Sequence, residues 1–159
     1  MSIIIQGYQL RELVLGSQVV KTALAVPQDT LGTIATVSGG AVLVTSMLGL
    51  VSTSFTATVT SLSIGTHPTG STSQPASIAV STVVTSTPAA SWLAPLPVAG
   101  LGGGSGSLVI GLVATVTFLP AAFVVPAGTI TWTTTANNVG AAVTWYFTYI
   151  PLDTGASLS

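Results

Sequence analysis

The ionisable chemistry of this 159-residue chain comes down to three carboxylates (Glu12, Asp29, Asp153), one histidine (His67) and two cations (Arg11, Lys21). General acid–base catalysis needs two titratable groups held close together. Glu12 lies in a charge-bearing N-terminal stretch, while Asp29 and Asp153 stand in turn sequence beside proline (Pro27-Gln28-Asp29, Pro151-Leu152-Asp153). Their expected role is to accept hydrogen bonds from nearby turn amides. His67 is the only histidine and precedes Pro68. One chain therefore cannot build a His-based zinc site; three copies on a symmetry axis could bring three such rings together, against the plainer reading of a turn histidine. Gly103-Gly104-Ser105-Gly106-Ser107 lacks the last glycine of a nucleophile elbow. Its glycine spacing and missing lysine also fail the dinucleotide and phosphate-loop patterns. No catalytic, cofactor-binding or metal-ligating residue is assigned, and the chain is expected not to be an enzyme.

Aromatic residues are the other route to function. Trp132, Trp145, Tyr146, Phe147 and Tyr149 could line a carbohydrate groove, but alternation places Trp145, Phe147 and Tyr149 on one strand face, where core packing is the default. Tyr146 falls on the opposite face. Asn137 and Asn138 are the nearest amides and read as the turn between the last strands. A glycan-binding reading would need an exposed aromatic patch near Trp92 or Trp132. Two cations cannot build a basic patch, so no direct nucleic-acid partner is expected. The absence of cysteine removes disulfides and thiolate metal sites.

The elements that would carry these residues are mostly strands. Apolar residues make up 48% of the chain and charged ones 3%, against about a quarter charged in ordinary soluble domains. With a mean hydropathy of +0.83, such a surface is expected to meet other protein. The uncharged stretch 108–125 is long enough for a spanning helix. Gly111, Pro120, its β-branched residues and the missing Lys/Arg flank favour β-structure and no membrane. A transmembrane barrel would want a more polar lumen and longer hairpins. Met1-Ser2-Ile3-Ile4-Ile5 lacks the basic region of a signal peptide.

Two-residue periodicity is clearest at 108–118, 129–135 and 143–149. Residues 33–37 and 41–48, joined by Ser38-Gly39-Gly40, read as a hairpin. Residues 51–64 change phase within one run, which predicts a bulge or bend. Ile78, Val80 and Val84 fit a short strand. Residues 87–97, with Pro88, Pro95 and Pro97 around Trp92, read as a surface loop, 100–107 as a Gly/Ser connector, and 154–159 as a small polar tail. Residues 8–21 permit a short helix or an extended arm that could lie on a neighbouring subunit. The expected organisation is an N-terminal arm over 1–21 and one antiparallel β-sandwich over 22–159. Eight short strands fit a jelly roll, and an immunoglobulin-like sandwich fits the count too.

Two strings carry a resemblance: "VVKTALAVPQDTLGTIATVSGGAVLVTSMLGLVSTSFTATVTSLSIGTHPT" and "VVPAGTITWTTTANNVGAAVTWYFTYIPLDTGAS". With Ser38-Gly39-Gly40 before 41–46, the 126–130 segment, Asn138-Val139-Gly140, and the closing 145–149 and 151–156, the chain resembles small structural proteins of tailed bacteriophages. The likeness covers 19–69 and 124–157 and leaves the middle unmatched. Where relatives often carry an acid after the glycine at 49, Leu50 stands here. The resemblance implies a head-decoration, or cement, protein: a homotrimer with a jelly-roll body on the outer capsid surface of the virion. Its partner would be the major capsid protein, with no cofactor. A tail or fibre component, or a glycan-binding module at the virion surface, is the alternative.

Overall fold

A β-strand is held where one of its faces is covered, and segment after segment of this chain alternates apolar with small polar residues. In the computed structural model, which describes residues 16–71, 76–96, 107–111 and 122–159, these segments form eleven strands. They are β1 (Ser17–Ala25), β2 (Leu31–Ser38), β3 (Val42–Thr53), β4 (Ser61–Pro68), β5 (Ala76–Val83), β6 (Trp92–Leu96), β7 (Ser107–Gly111), β8 (Phe123–Val125), β9 (Gly128–Thr134), β10 (Ala142–Pro151) and β11 (Ser157–Leu158). One sheet has the order β1-β10-β3-β6-β7, with β8 also paired to β3; the other has the order β11-β2-β9-β4-β5. Every pairing is antiparallel. The fold is all-β, two antiparallel sheets forming a sandwich.

The core lies between the sheets. Val143, Trp145, Phe147 and Tyr149 of β10 and Val42, Val44, Met47 and Val51 of β3 are buried, and so are Ile130 and Trp132 of β9 and Leu62 and Ile64 of β4. Trp145 and Trp132 join the layers edge to face, with ring centroids 5.7 Å apart at 79°. Such a pair adds about 1 kcal/mol beyond its area burial. Each indole faces a glycine across its ladder, Trp145 opposite Gly49 and Trp132 opposite Gly32. The missing side chains make room for the rings.

Several expectations change. Ser38-Gly39-Gly40 is not a hairpin, because β2 and β3 belong to different sheets. Gly39 (φ 74°) and Gly40 (φ 140°) carry the chain across the sandwich, and a Cβ on Gly39 would collide with the Gly155 carbonyl. Turn chemistry specifies the reversal, not the pairing that follows. Of the bulge or bend expected in 51–64 the structure has the bend: β3 ends at Thr53, and residues 54–60 lead to β4 in the other sheet.

Residues 92–96 are strand β6 rather than loop, with Leu93 and Ala94 buried. Strand alternation turns the missing N–H of Pro95 toward β3, beyond the Gly49–Leu93 and Leu50–Trp92 pairings, so no ladder bond is lost. In β5, Ile78 and Ala79 are buried and Val80 is exposed; Val84 is buried just after the strand. The tail is not merely polar: Ala156 and Leu158 are buried, and β11 pairs with β2 at Ser38 and Val37. Residues 17–21 of the expected arm form the first half of β1. The helix-or-arm alternative for 1–15, the 112–118 part of the expected strand and the 100–106 connector lie outside the described residues.

Candidate functional site

The carboxylates do not converge. Asp29 sits in the exposed turn after β1, and Asp153 in the exposed turn after β10. Because these strands pair antiparallel, with Ser17 opposite Tyr149 and Ala25 opposite Ala142, the two acids stand at opposite ends of the pair. At about 3.3 Å per residue the separation is roughly 25 Å, too far for a shared proton. Glu12 lies outside the described residues. His67 is half-buried near the end of β4, opposite Thr129. No group of three or more His, Cys, Asp or Glu side chains comes together among the described residues.

Asp153 does serve a turn, though not through a nearby amide. Its Oδ2 accepts the Ala41 N–H at 2.7 Å, while its own carbonyl accepts the Ala156 N–H at 3.0 Å. It thus ties the end of β10 to the start of β3. Asp153→Ala is expected to cost about 1 kcal/mol, the usual net worth of one such bond, read as a lower urea midpoint with unchanged slope; no shift would show that the tie contributes nothing.

One polar cluster is buried, and sequence reasoning missed it. Asn138 is fully buried. Its Oδ1 accepts the Thr56 N–H at 2.6 Å and the Thr56 hydroxyl at 2.8 Å, and its Nδ2 donates to Thr60 Oγ1. The Thr60 hydroxyl donates onward to the Thr58 carbonyl at 3.0 Å. The cluster is closed on itself and pins the 54–60 crossover to the turn before β10. Each of the polar side-chain atoms of Asn138, Thr56 and Thr60 already has a partner within the chain.

What remains are the two outer faces, and they differ. On the five-stranded sheet, cross-strand pairs put Thr33 beside Thr131, Thr36 beside Thr129 and Ser63 beside Thr133. Pairs of this kind stabilise a ladder; Thr131 is buried and donates to the Gly65 carbonyl, while Thr33 and Thr36 are exposed. On the six-stranded sheet, register aligns Val20, Tyr146 and Leu48 in one row and Thr144, Leu50 and Trp92 in a neighbouring one. Ile150, Leu43 and Val124 form a further row. Tyr146 and Ile150 are each 37% exposed and Val124 57%, and the Trp92 and Tyr146 rings meet with centroids 6.1 Å apart, tilted by 46°. Lys21 stands opposite Trp145 on edge strand β1, so no charged side chain among the described residues lies on either outer face.

The aromatic expectation therefore divides. Trp132 is buried in the core and cannot form an exposed patch; its indole fills the space over Gly32. Trp145, Phe147 and Tyr149 are core residues too. Trp92 lies on the outer face with Tyr146, in a strand rather than in a loop. Among the described residues no helix is long and apolar enough to cross a membrane. The stretch 108–125 contributes most of β7 at one end and β8 at the other. Among the described residues the outer face of the six-stranded sheet is thus uncharged and largely apolar, with the Trp92–Tyr146 pair on it. Compared with protein-family models, curated proteins and solved structures, the chain matches none.

Proposed function

We propose that this chain is a non-enzymatic virion structural protein that decorates and stabilises a bacteriophage capsid through protein–protein contacts. The observation that carries the reading is the outer face of the six-stranded sheet, where Val20, Tyr146 and Ile150 are exposed and Leu48, Leu50 and Trp92 half-buried, with no charged side chain among the described residues. Contiguous apolar faces of this kind mark surfaces that other protein covers. We read the body as a jelly roll, in keeping with the same proposal. Support comes from the strand orders: setting aside β7, β8 and β11, β1-β10-β3-β6 and β2-β9-β4-β5 fit the alternation expected of two interlocked Greek keys, an architecture that viral capsid domains use.

In this reading the protein sits on the outer capsid surface as a homotrimer and contacts the major capsid protein. Covering apolar area contributes about 25 cal/mol per Å², offset by lost rigid-body freedom. Repetition over a lattice raises effective concentration and makes modest contacts strong. With so few ions at the contact, affinity should change by less than about threefold from low to ~0.5 M salt. The test is to add purified chain to capsids that lack it and to measure occupancy and resistance to heat across that salt range. Saturable occupancy with raised capsid stability is expected; absence of binding, or loss of binding at high salt, would overturn the reading. The Trp92–Tyr146 pair, half-buried at Trp92 and exposed at Tyr146, favours a second reading, a glycan-binding module of a tail, fibre or virion surface, which binding to a glycan array without capsid binding would select.

A further inference from the structure

We propose that Lys21 guards the β1 edge of the six-stranded sheet and keeps a second copy of this chain from extending that sheet. Among the described residues the two sheets end in β1, β7, β11 and β5. β5 and β7 lie against each other. β11 is only two residues long, too short to template a partner, and beyond it Thr36 and Ser159 exchange N–H···O bonds at 2.7 and 2.8 Å. β1 is different. It runs nine residues, Ser17–Ala25, and β10 is the one described strand that pairs with it. Gln18, Val20, Thr22, Ala23 and Ala25 are exposed. An edge strand of this length is a template for a strand of another molecule unless something blocks it.

Lys21 is the one charged residue of β1, and register fixes where it points. Residues 18–21 follow β10 one for one, with Val19 opposite Phe147, Val20 opposite Tyr146 and Lys21 opposite Trp145. Directly opposed residues share a face. Lys21 therefore stands on the inner side, half-buried, in the row of Val19 and Leu24, which pack on the core. A second copy joined along this edge would enclose the ammonium between two sandwiches. Its β1 would bring another lysine and no carboxylate. An inward-pointing charge on an edge strand blocks pairing for this reason: extension desolvates the ion and supplies no partner.

The rest of β1 is closed by its backbone. Between Lys21 and Leu24 the register slips, so that Thr22 and Ala23 stand against Thr144. Ala23 takes φ 46°, and its N–H donates to Thr144 Oγ1 at 3.0 Å. A bulge of this kind bends the strand away from a regular partner and leaves only Leu24 and Ala25 beyond it. The regular stretch before the bulge has no such distortion, and its protection rests on Lys21. The guard operates whichever partner covers the sheet faces, so it stands apart from the capsid reading.

Lys21→Thr and Lys21→Gln remove the charge, the latter keeping much of the stem that lies along the core; Lys21→Arg and Lys21→Glu keep a charge of one sign or the other. Hydrogen exchange of the 17–25 amides, followed with rising protein concentration beside light scattering, separates edge pairing from contacts made elsewhere. Urea midpoints show that each variant is folded. Both neutral variants should gain concentration-dependent protection of these amides, with association through β1 at least about tenfold tighter than in the parent chain, as removal of a like-charge contact dictates. The parent, Lys21→Arg and Lys21→Glu should gain none. Folded neutral variants whose 17–25 amides exchange as in the parent at every concentration reject the guard. Concentration-dependent protection in the parent, or in Lys21→Glu to the same extent as in Lys21→Thr, rejects it as well.

Discussion

Replacing Asn138 by alanine is expected to lower the unfolding free energy by about 3 kcal/mol, since a buried donor or acceptor left unpaired costs roughly 1–3 kcal/mol. The substitution strips the acceptor from the Thr56 N–H and hydroxyl and the donor from Thr60 Oγ1. Thr60 is itself fully buried, and water cannot replace the lost partner there at no cost. The Thr60 hydroxyl keeps the Thr58 carbonyl as acceptor, which is why the loss is not larger. Asn137→Ala, one residue earlier and exposed, should stay within about 0.5 kcal/mol, as surface substitutions do. Urea denaturation of the two variants checks the contrast. Equal midpoints would mean that the crossover is held by its backbone alone, through bonds such as Phe55 N–H to the Thr87 carbonyl.

That contrast also shows what a sequence can and cannot display. Asn137 and Asn138 are identical in type and adjacent, and both fit a turn. What separates them is a crossover about eighty residues earlier in the chain that closes over one and not the other. The 143–149 alternation is legible because a two-residue period belongs to the strand itself. It correctly puts Val143, Trp145, Phe147 and Tyr149 inward and Tyr146 outward. The Gly39-Gly40 reversal is legible as a turn, yet the sheet each flanking strand joins depends on β9, β10 and β11, which are distant in sequence. Strand β6 hides behind its prolines because a propensity argument cannot know that Pro95 falls beyond the last β3 pairing, where its missing N–H costs no ladder bond. The outer face suffers most. Tyr146 can be placed on it from alternation, whereas Val20, Leu48 and Trp92 become its neighbours only through the registers of β1, β3 and β6. The near absence of charge, which that face shares, is plain from composition alone.

Trp145→Ala is expected to be the most damaging single change, costing about 4 kcal/mol, the usual loss for a large buried aromatic. The indole is fully buried, touches Trp132 across the sandwich and lies over Gly49. Gly49→Ala attacks the same packing from the other side. The new Cβ would stand 2.8 Å from Cζ3 and 3.0 Å from Cε3 and Cη2 of the ring, and overpacking of this kind costs about 1–3 kcal/mol. The ring cannot slide away freely, because Trp132 closes its other side. Trp145→Phe separates the two effects. It removes the benzo atoms that crowd position 49, together with an Nε1 that is buried without a hydrogen-bond partner. No satisfied polar contact is therefore lost, and its own cost is a cavity term of about 1–2 kcal/mol. In that background Gly49→Ala should cost at least about 1 kcal/mol less than in the parent chain, a coupling typical of residues in direct contact. Four urea titrations close the cycle, and strict additivity would falsify the claim that the glycine is there to make room for the ring.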